Sequence, residues 1–199
     1  MIQGHFYFLK EDYFNDFPDP AIMKNKEKID GKTHNRPCYY AFRDSSTGLY
    51  WVIPISSKIA KFQKVYNSKT KLNGRCDTLV FGDVMGSQKA FLIQNMCPVT
   101  DDYIKNEYID ATSSKPVRIS PKLEKKINQS AKLVLGLKRR GYKVIFPDVL
   151  SIEKKLIENL QNDRSKTNSE TVLTLKGDNS DVLDLNKYTN PNKKKPKRP

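Results

Sequence analysis

Two adjacent hydroxyls and a lysine follow an apolar segment in the stretch WVIPISSKIAKF, which runs from Trp51 to Phe62. The apolar residues predict a buried strand that ends at Ser56, Ser57 and Lys58. Such a group is common where a strand passes into a loop. Its residue types also suit phosphate chemistry, because hydroxyls and an ammonium bind phosphate oxygens. From these residues alone, both interpretations stay open.

Other residues with suitable chemistry stand elsewhere in the first third of the chain: Tyr13, His34, Arg36 and Lys61. Cleavage of RNA without a metal ion needs side chains of these types: hydroxyls, cations and groups that transfer protons. The ribose 2′-OH is the nucleophile, so a protein must accept one proton, donate another to the leaving 5′ oxygen and stabilise charge on phosphorus. Lysine and arginine stabilise that charge, and tyrosine stacks on a base. The set permits this chemistry without requiring it.

Other catalytic chemistries find little support. His5 and His34 are the two histidines, and no Gly-rich phosphate loop, G-x-S-x-G or H-E-x-x-H motif occurs. Of the acidic residues, Asp83 alone stands near a predicted strand end, where a magnesium-dependent nuclease would need carboxylates. We therefore expect no metal ion and no other cofactor.

The charge balance indicates a polyanionic partner. The 199 residues carry a net charge of +14, with a pI of about 9.6 and 10% aromatic residues. Basic side chains that neutralise phosphates release counterions and gain affinity for nucleic acid. A lysine-rich but inert surface and a membrane surface are the competing interpretations, and nucleic acid is favoured.

The sequence predicts a cytoplasmic protein. No stretch approaches the ~18 apolar residues that cross a bilayer, and residues 1–14 lack the pattern of a secretory signal. Cys38, Cys76 and Cys97 are widely spaced and odd in number, which favours reduced, buried thiols over disulfides or a zinc site.

Strands are predicted first and helices later, without a βαβ repeat, which indicates an α+β fold with a mostly antiparallel sheet. Residues 38–56 predict a hairpin, and 76–96 predict a second strand pair. Helices are expected over 57–71 and 100–110, from Ser120 as N-cap to a stop at Gly141, and over 147–160. Residues 18–33 are expected to form a loop.

The chain is predicted to divide at residue 161 into a folded domain and a polar, flexible, basic tail. From residue 162 to 199 the apolar periodicity disappears. The segment KKKPKR (193–198) is typical of a nucleic-acid arm or a nuclear signal.

The order of short motifs resembles the ToxN/AbiQ family of type III toxin–antitoxin endoribonuclease toxins, and most of all its CptN branch. The motifs are GHFYFLKEDYF, HNRPCYYAF, WVIPISSK, DTLVFGDV with KAFLIQNMCPVT, and YI at 108–109 before a basic helix. The resemblance covers about residues 3–160. It implies a strongly twisted antiparallel sheet with flanking helices, distantly like that of the Kid/MazF toxins.

The resemblance also implies a function. Members of the family are metal-independent endoribonucleases that cut mRNA and their own repeat-RNA antitoxin precursor, leaving 2′,3′-cyclic phosphate and 5′-OH ends. A small pseudoknotted antitoxin RNA inhibits them and closes with the toxin into a joint hetero-oligomer. A bacterial, cytoplasmic location follows from the same resemblance.

Site residues are carried over by position. The hydroxyl pair of the family falls on Ser56 and Ser57, of which Ser57 is the stronger candidate at the scissile phosphate. The family's lysine stands two residues past the pair, where this chain has no lysine, so Lys58 and Lys61 both remain candidates. The remaining family positions fall on Arg36 and Tyr13.

His34 is proposed from its chemistry alone, because an imidazole can act as acid or base. Lys58, Lys61 and His34 therefore all remain open as the general base.

The basic helix is the candidate surface for antitoxin RNA. Phosphate contacts there would position the RNA without reading its sequence. The candidate residues are Lys122, Lys125, Lys126, Lys132, Lys138, Arg139, Arg140 and Lys143. Two alternatives share the same charge pattern: a non-catalytic RNA-binding protein, and a nuclear regulator that rests on KKKPKR alone.

Overall fold

The computed structural model describes residues 1–29 and 31–177, and this part of the chain builds one large sheet, one small sheet and four helices. The strands are β1 Phe6–Leu9, β2 Lys26–Ile29, β3 Lys32–Asn35, β4 Cys38–Arg43, β5 Tyr50–Ser56, β6 Val80–Val84, β7 Ser87–Phe91, β8 Cys97–Val99 and β9 Ile104–Glu107. The helices are α1 Glu11–Asp16, α2 Ile59–Asn73, α3 Pro121–Arg139 and α4 Val149–Gly177.

The large sheet is antiparallel and has the strand order β6-β7-β5-β4-β1-β9, with β8 also paired to β5. Both predicted hairpins, β4–β5 and β6–β7, are present. The prediction of an α+β fold with a mostly antiparallel sheet is therefore confirmed. The likeness to Kid/MazF toxins stays a prediction.

Helix α3 covers one face of this sheet. Its buried residues Ile127, Ala131 and Val134 belong to the same core cluster as Trp51 and Phe91 of the sheet, and this spacing is the apolar stripe of an amphipathic helix. As predicted, Ser120 caps the helix, since its hydroxyl accepts the N–H of Leu123 at 3.4 Å. The predicted stop at Gly141 is also confirmed, because α3 ends at Arg139 and Gly141 follows its C-cap with a left-handed backbone (φ +91°).

The predicted helix over residues 100–110 is wrong. Only Asp101–Tyr103 form a single 3₁₀ turn, and Ile104–Glu107 form β9, which pairs with β1. Pairing with β1 gives β9 hydrogen-bond partners along one side and makes it the outermost strand at this end of the sheet. That partner lies about a hundred residues away in sequence, where local propensity carries no information.

Residues predicted as a loop contain a second, two-stranded sheet. Strands β2 and β3 pair in the register Lys26↔Asn35 to Ile29↔Lys32. We call this element the β2–β3 ribbon (residues 26–35).

The chain divides into two units, Met1–Glu158 and a second that begins at Asn159. Helix α4 continues to Gly177, beyond the boundary predicted at residue 161. Residues 178–199, including KKKPKR, lie outside the described residues, so the predicted tail stays a prediction. Among the helices of the described chain, none is both long and apolar enough to cross a membrane.

Candidate active site

A cleft of about 510 Å³ lies between the β2–β3 ribbon and the β6–β7 turn. The ribbon supplies His34 and Asn35, and the β6–β7 hairpin supplies Met85 and Lys89 on the other side. Other side chains that face the cleft are Phe8, Pro37, Ile55, Ser56, Ser57, Val84, Ser87 and Tyr108. The cleft therefore combines hydroxyls, a cation, an imidazole and aromatic rings.

Ser56 and Ser57 have different environments at the end of β5. Ser56 is 2% exposed, and its Oγ accepts the backbone N–H of Lys58 at 3.2 Å. This bond turns the chain from the strand into α2. Ser57 is exposed and lines the cleft. Of the two predicted hydroxyls, Ser57 is thus the accessible one.

Lys89 lies beside Ser57, and its Nζ donates to the Ser57 Oγ at 2.8 Å. Strand pairing produces this contact, because Ser56 pairs with Ala90 across β5 and β7 and the next pair along would be Ser57 and Lys89. An ammonium has three N–H donors. Within the described part of the chain, Lys89 has no second hydrogen-bond partner, so two donors are left for an anion in the cleft.

Two aromatic rings face the same space. Phe8 and Tyr108 are half-buried and pack edge to face, with ring centroids 5.3 Å apart. Tyr108 is fixed by its backbone N–H, which donates to the Phe6 carbonyl at 2.7 Å. Rings held in this way offer a surface on which an unstacked base can lie.

His34 belongs to β3, opposite Glu27 in the ribbon, and it is exposed where it faces the cleft. Of the predicted proton-transfer candidates His34, Lys58 and Lys61, the structure brings His34 to the cleft wall. Lys58 and Lys61 are exposed at the start of α2 and do not line the cleft. Lys61 instead lies over the Phe62 ring, with its Nζ 5.7 Å from the centroid.

Arg36 is buried beneath the cleft wall. Its guanidinium donates to the carbonyls of Lys24 at 3.1 Å and Ile55 at 2.7 Å, and its backbone N–H donates to the Asn25 carbonyl at 2.6 Å. These bonds tie the base of the ribbon to β5, one residue before Ser56. The geometry gives Arg36 a positioning role for the residues on both sides of the cleft.

Tyr13 lies in the core and not in the cleft. It is 0% exposed, and its hydroxyl donates to the Pro98 carbonyl at 3.0 Å. Burial raises the pKa of this phenol well above its ordinary value. The structure therefore does not bring Tyr13 to the other predicted site residues.

The basic residues predicted to bind RNA fall into two groups. Lys122, Lys125, Lys126, Lys132 and Lys143 are exposed, and Lys132 lies over the Phe42 ring with its Nζ 5.7 Å from the centroid. Their charges are accessible to a polyanion.

The remaining three already bind the protein itself. Lys138 donates to the Ile145 carbonyl at 3.2 Å, and Arg140 donates to the Gly136 carbonyl at 3.2 Å. Arg139 bridges the buried carboxylates of Asp44, at 2.6 Å, and Glu153.

Arg139 therefore joins α3 to the β4–β5 turn and to α4. Burial acts to raise the pKa of the Asp44 carboxyl, but hydrogen bonds from Ser46 and the Arg139 ion pair outweigh it, so that the pKa is lowered. The three consecutive basic residues 138–140 are thus occupied by bonds within the protein.

The sequence-based prediction missed Lys89, Phe8 and Tyr108. The second predicted strand pair contains Lys89, but only the pairing of β7 with β5 brings it to Ser57. Residues 108–109 belong to a sequence motif that carries no predicted role. In residues 1–29 and 31–177, no group of three His, Cys, Asp or Glu side chains is arranged to hold a metal ion.

The fold and the cleft define a class: an α+β protein whose open antiparallel sheet carries a cleft of mixed polar and apolar side chains between two hairpins. A solved structure has this fold. It is that of AbiQ, a lactococcal anti-phage endoribonuclease belonging to the type III toxin–antitoxin system, with a TM-score of 0.57. The similarity covers 79% of this chain and 98% of AbiQ at 14% sequence identity, so the likeness is one of fold. No family model and no curated protein sequence matches this chain.

Proposed function

We propose that this protein is a metal-independent endoribonuclease and the toxin of a type III toxin–antitoxin system of the ToxN/AbiQ family. The observation that carries the proposal is the Ser57–Lys89 pair in a cleft that also holds an imidazole and two aromatic rings. The AbiQ-like fold and the net charge of +14 support it. Assignment to the CptN branch rests on the sequence motifs alone.

The reaction that suits these side chains is an internal transfer at phosphorus. The ribose 2′ oxygen bonds to phosphorus while the bond from phosphorus to the 5′ oxygen of the next nucleotide breaks. The products are a 2′,3′-cyclic phosphate and a 5′ hydroxyl. One proton leaves the 2′-OH and one is added to the departing 5′ oxygen. Because the substrate supplies its own nucleophile, the protein contributes proton transfer and charge stabilisation.

The cleft residues divide these tasks. His34 exchanges protons with the reacting oxygens, since an imidazole both accepts and donates a proton near neutral pH. Lys89 and Ser57 donate to the non-bridging phosphate oxygens, where negative charge grows in the transition state. Phe8 and Tyr108 stack on a base beside the scissile phosphate and so select unpaired RNA.

The inhibitor in this proposal is a small pseudoknotted RNA, cut from its own repeat precursor, that binds the toxin in a closed assembly. The exposed lysines at the start of α3, Lys122, Lys125 and Lys126, support phosphate contacts of this kind. mRNA is the proposed substrate when the inhibitor is absent.

The test is Ser57→Ala, assayed on a single-stranded RNA oligonucleotide in EDTA. We expect kcat to fall by about 10²–10³, as for loss of one oxyanion donor. The Kd for RNA is expected to stay within severalfold, because one hydroxyl among many phosphate contacts adds little affinity. Cleavage is followed on denaturing gels, with 2′,3′-cyclic phosphate ends confirmed by mass spectrometry. Ser68→Ala, an exposed serine of α2, is the matched control.

Each result has a distinct meaning. Ordinary cleavage by Ser57→Ala would remove Ser57 from the mechanism. Activity that is lost in EDTA and restored by Mg²⁺ would refute the metal-independent scheme. Wild-type protein that binds RNA tightly but leaves it intact would indicate the alternative, a non-catalytic RNA-binding protein.

A further inference from the structure

We propose that the β2–β3 ribbon is an arm that binds the phosphates of single-stranded RNA next to the cleft, through Lys28 and Lys32. This inference rests on the proposed function. It assigns a binding surface to an element whose sequence predicted only a loop.

The ribbon is a wall of the cleft. His34 and Asn35, the last residues of β3, line it on the side opposite Lys89. The rest of the ribbon, paired from Lys28↔Thr33 to Ile29↔Lys32, continues from this wall away from its base at Arg36. An RNA strand that places a phosphate between His34 and Lys89 therefore has neighbouring phosphates within reach of the ribbon.

Lysines stand on both faces of this extension. Cross-strand partners share a face, so the pairs Lys26↔Asn35 and Lys28↔Thr33 put Lys28 on the face of Asn35. Lys32 precedes His34 by two residues and shares its face. Each lysine thus extends a side of the ribbon that already carries a cleft residue.

Both lysines are exposed, and in the described chain neither forms an ion pair; Lys26, by contrast, pairs with Glu11 at 3.0 Å. Their charges are therefore accessible to a ligand. From Lys24 to Arg36 the sequence has five basic residues and two acidic ones. This charge fits a polyanion and does not fit a basic or neutral partner.

The ribbon is also held firmly at its base, which a binding arm needs. An isolated two-stranded hairpin is only marginally stable in water. Here the buried Arg36 ties Lys24 and Asn25 to β5, and the Asn25 side chain donates to the Leu9 carbonyl at 3.3 Å. The anchor fixes the ribbon relative to Ser57, so the lysines hold RNA phosphates at a constant position next to the cleft.

A different role for these lysines is protection of exposed strand edges against pairing with other chains. If the lysines only protect the strand edges, replacing them should leave the Kd for RNA unchanged. A binding experiment therefore distinguishes the two explanations.

The experiment compares the double variant Lys28→Gln, Lys32→Gln with Lys154→Gln, Lys155→Gln, an equal charge change at exposed positions of α4. Kd is measured from low to high salt on a 2′-O-methylated, uncleavable copy of the single-stranded RNA oligonucleotide used in the cleavage assay. We expect the ribbon variant to bind about tenfold more weakly at low salt. The slope of log Kd against log salt should fall by about 1.4, or ~0.7 per single-strand phosphate contact. The kcat at saturating cleavable RNA should be unchanged.

Equal Kd values and slopes for the two double variants would overturn the ribbon assignment while leaving the proposed function intact. A ribbon variant that loses kcat with unchanged Kd would also overturn it. Conversely, a wild type that binds the methylated RNA with the expected ribbon dependence, yet cleaves no RNA, would refute the nuclease and retain the arm.

Discussion

The ammonium of Lys89 and the hydroxyl of Ser57 lie 2.8 Å apart although 32 positions separate them in sequence. In an empty cleft, Ser57 is the acceptor for one of the three N–H donors. An approaching phosphate oxygen meets the other two donors together with the serine O–H. Charge-assisted hydrogen bonds of this kind are about twice as strong as neutral ones. The proposed mechanism therefore uses this pair to hold the negative charge that grows on the phosphate oxygens.

Lys89→Met keeps the aliphatic length of the side chain and removes its charge. We expect kcat for RNA cleavage to fall by about 10²–10³, because a donor to the transition-state oxyanion is lost. Single-turnover cleavage at saturating RNA is the measurement. Lys105→Met, an exposed lysine of β9, is the matched control and should cleave at the wild-type rate.

A larger loss of kcat at Lys58 or Lys61 than at Lys89 would contradict the assignment of Lys89 as the cation at the phosphate. If Lys58→Met or Lys61→Met stopped turnover while Lys89→Met did not, the cation would come from α2, as the family spacing suggests. Lys58 and Lys61 would then have to reach a cleft that they do not line in this structure.

The position of Ser57 at the end of a strand could be predicted from the sequence, and the position of Lys89 beside it could not, for a physical reason. Ser57 follows an apolar run whose length and composition locate the strand end locally. Lys89 occupies an ordinary hairpin position, and its role depends on the pairing of β7 with β5. That pairing is a long-range contact, and local periodicity does not determine it.

Among the helices and strands, those with local sequence signals are predicted correctly, and those that depend on long-range pairing are missed. Helix α3 carries its own signals in the Ser120 cap, the apolar stripe and Gly141, so its bounds follow from sequence. Strand β9 and the β2–β3 ribbon are polar, and their strand conformation is stabilised by partners. Of the two elements that form the cleft walls, the sequence therefore predicts the β6–β7 hairpin and misses the β2–β3 ribbon. The position of each beside the cleft is seen only in the three-dimensional structure.

The β6–β7 hairpin is also held against α3 at one tight contact. Gly82 pairs with Lys89, and a Cβ built on Gly82 would lie 2.1 Å from the Leu123 Cδ2 atom. The Leu123 side chain therefore fills the space that a side chain at position 82 would occupy. The absent side chain at position 82 therefore helps to set the position of the strand that carries Lys89.

Gly82→Ala should lower the free energy of unfolding by about 1–3 kcal/mol, because the added methyl overpacks the contact with Leu123. Chemical denaturation measures the change. In a Leu123→Ala background the cost of Gly82→Ala should shrink, which a double-mutant cycle reports as coupling. Gly136→Ala, inside α3 with no atom near its added Cβ, is the control and should be stabilising by about 0.5–1 kcal/mol. Equal effects of Gly82→Ala in both backgrounds would show that the helix contact is not the cause.

For the whole molecule, the buried core of the described chain is confined to the first part of the sequence, whereas positive charge extends over its whole length. Each buried apolar residue in the described chain lies at or before Leu156, and the first unit ends at Glu158. Nine basic and five acidic residues lie beyond residue 161, so the first 161 keep a net charge of +10 out of +14. Folding and catalysis are thus expected from the first part, which also retains most of the attraction for RNA.

A chain shortened to residues 1–161 tests this division. We expect it to unfold in one cooperative transition with a free energy close to that of the full chain, because the buried core is complete. Its kcat for RNA cleavage should be unchanged, since the cleft residues end at Tyr108. Its RNA affinity should fall only modestly and mainly at low salt, in proportion to the lost positive charge. Denaturation, single-turnover cleavage and salt-dependent binding measure the three quantities. Insolubility, or loss of the cooperative transition, would instead show that residues beyond 161 complete the fold.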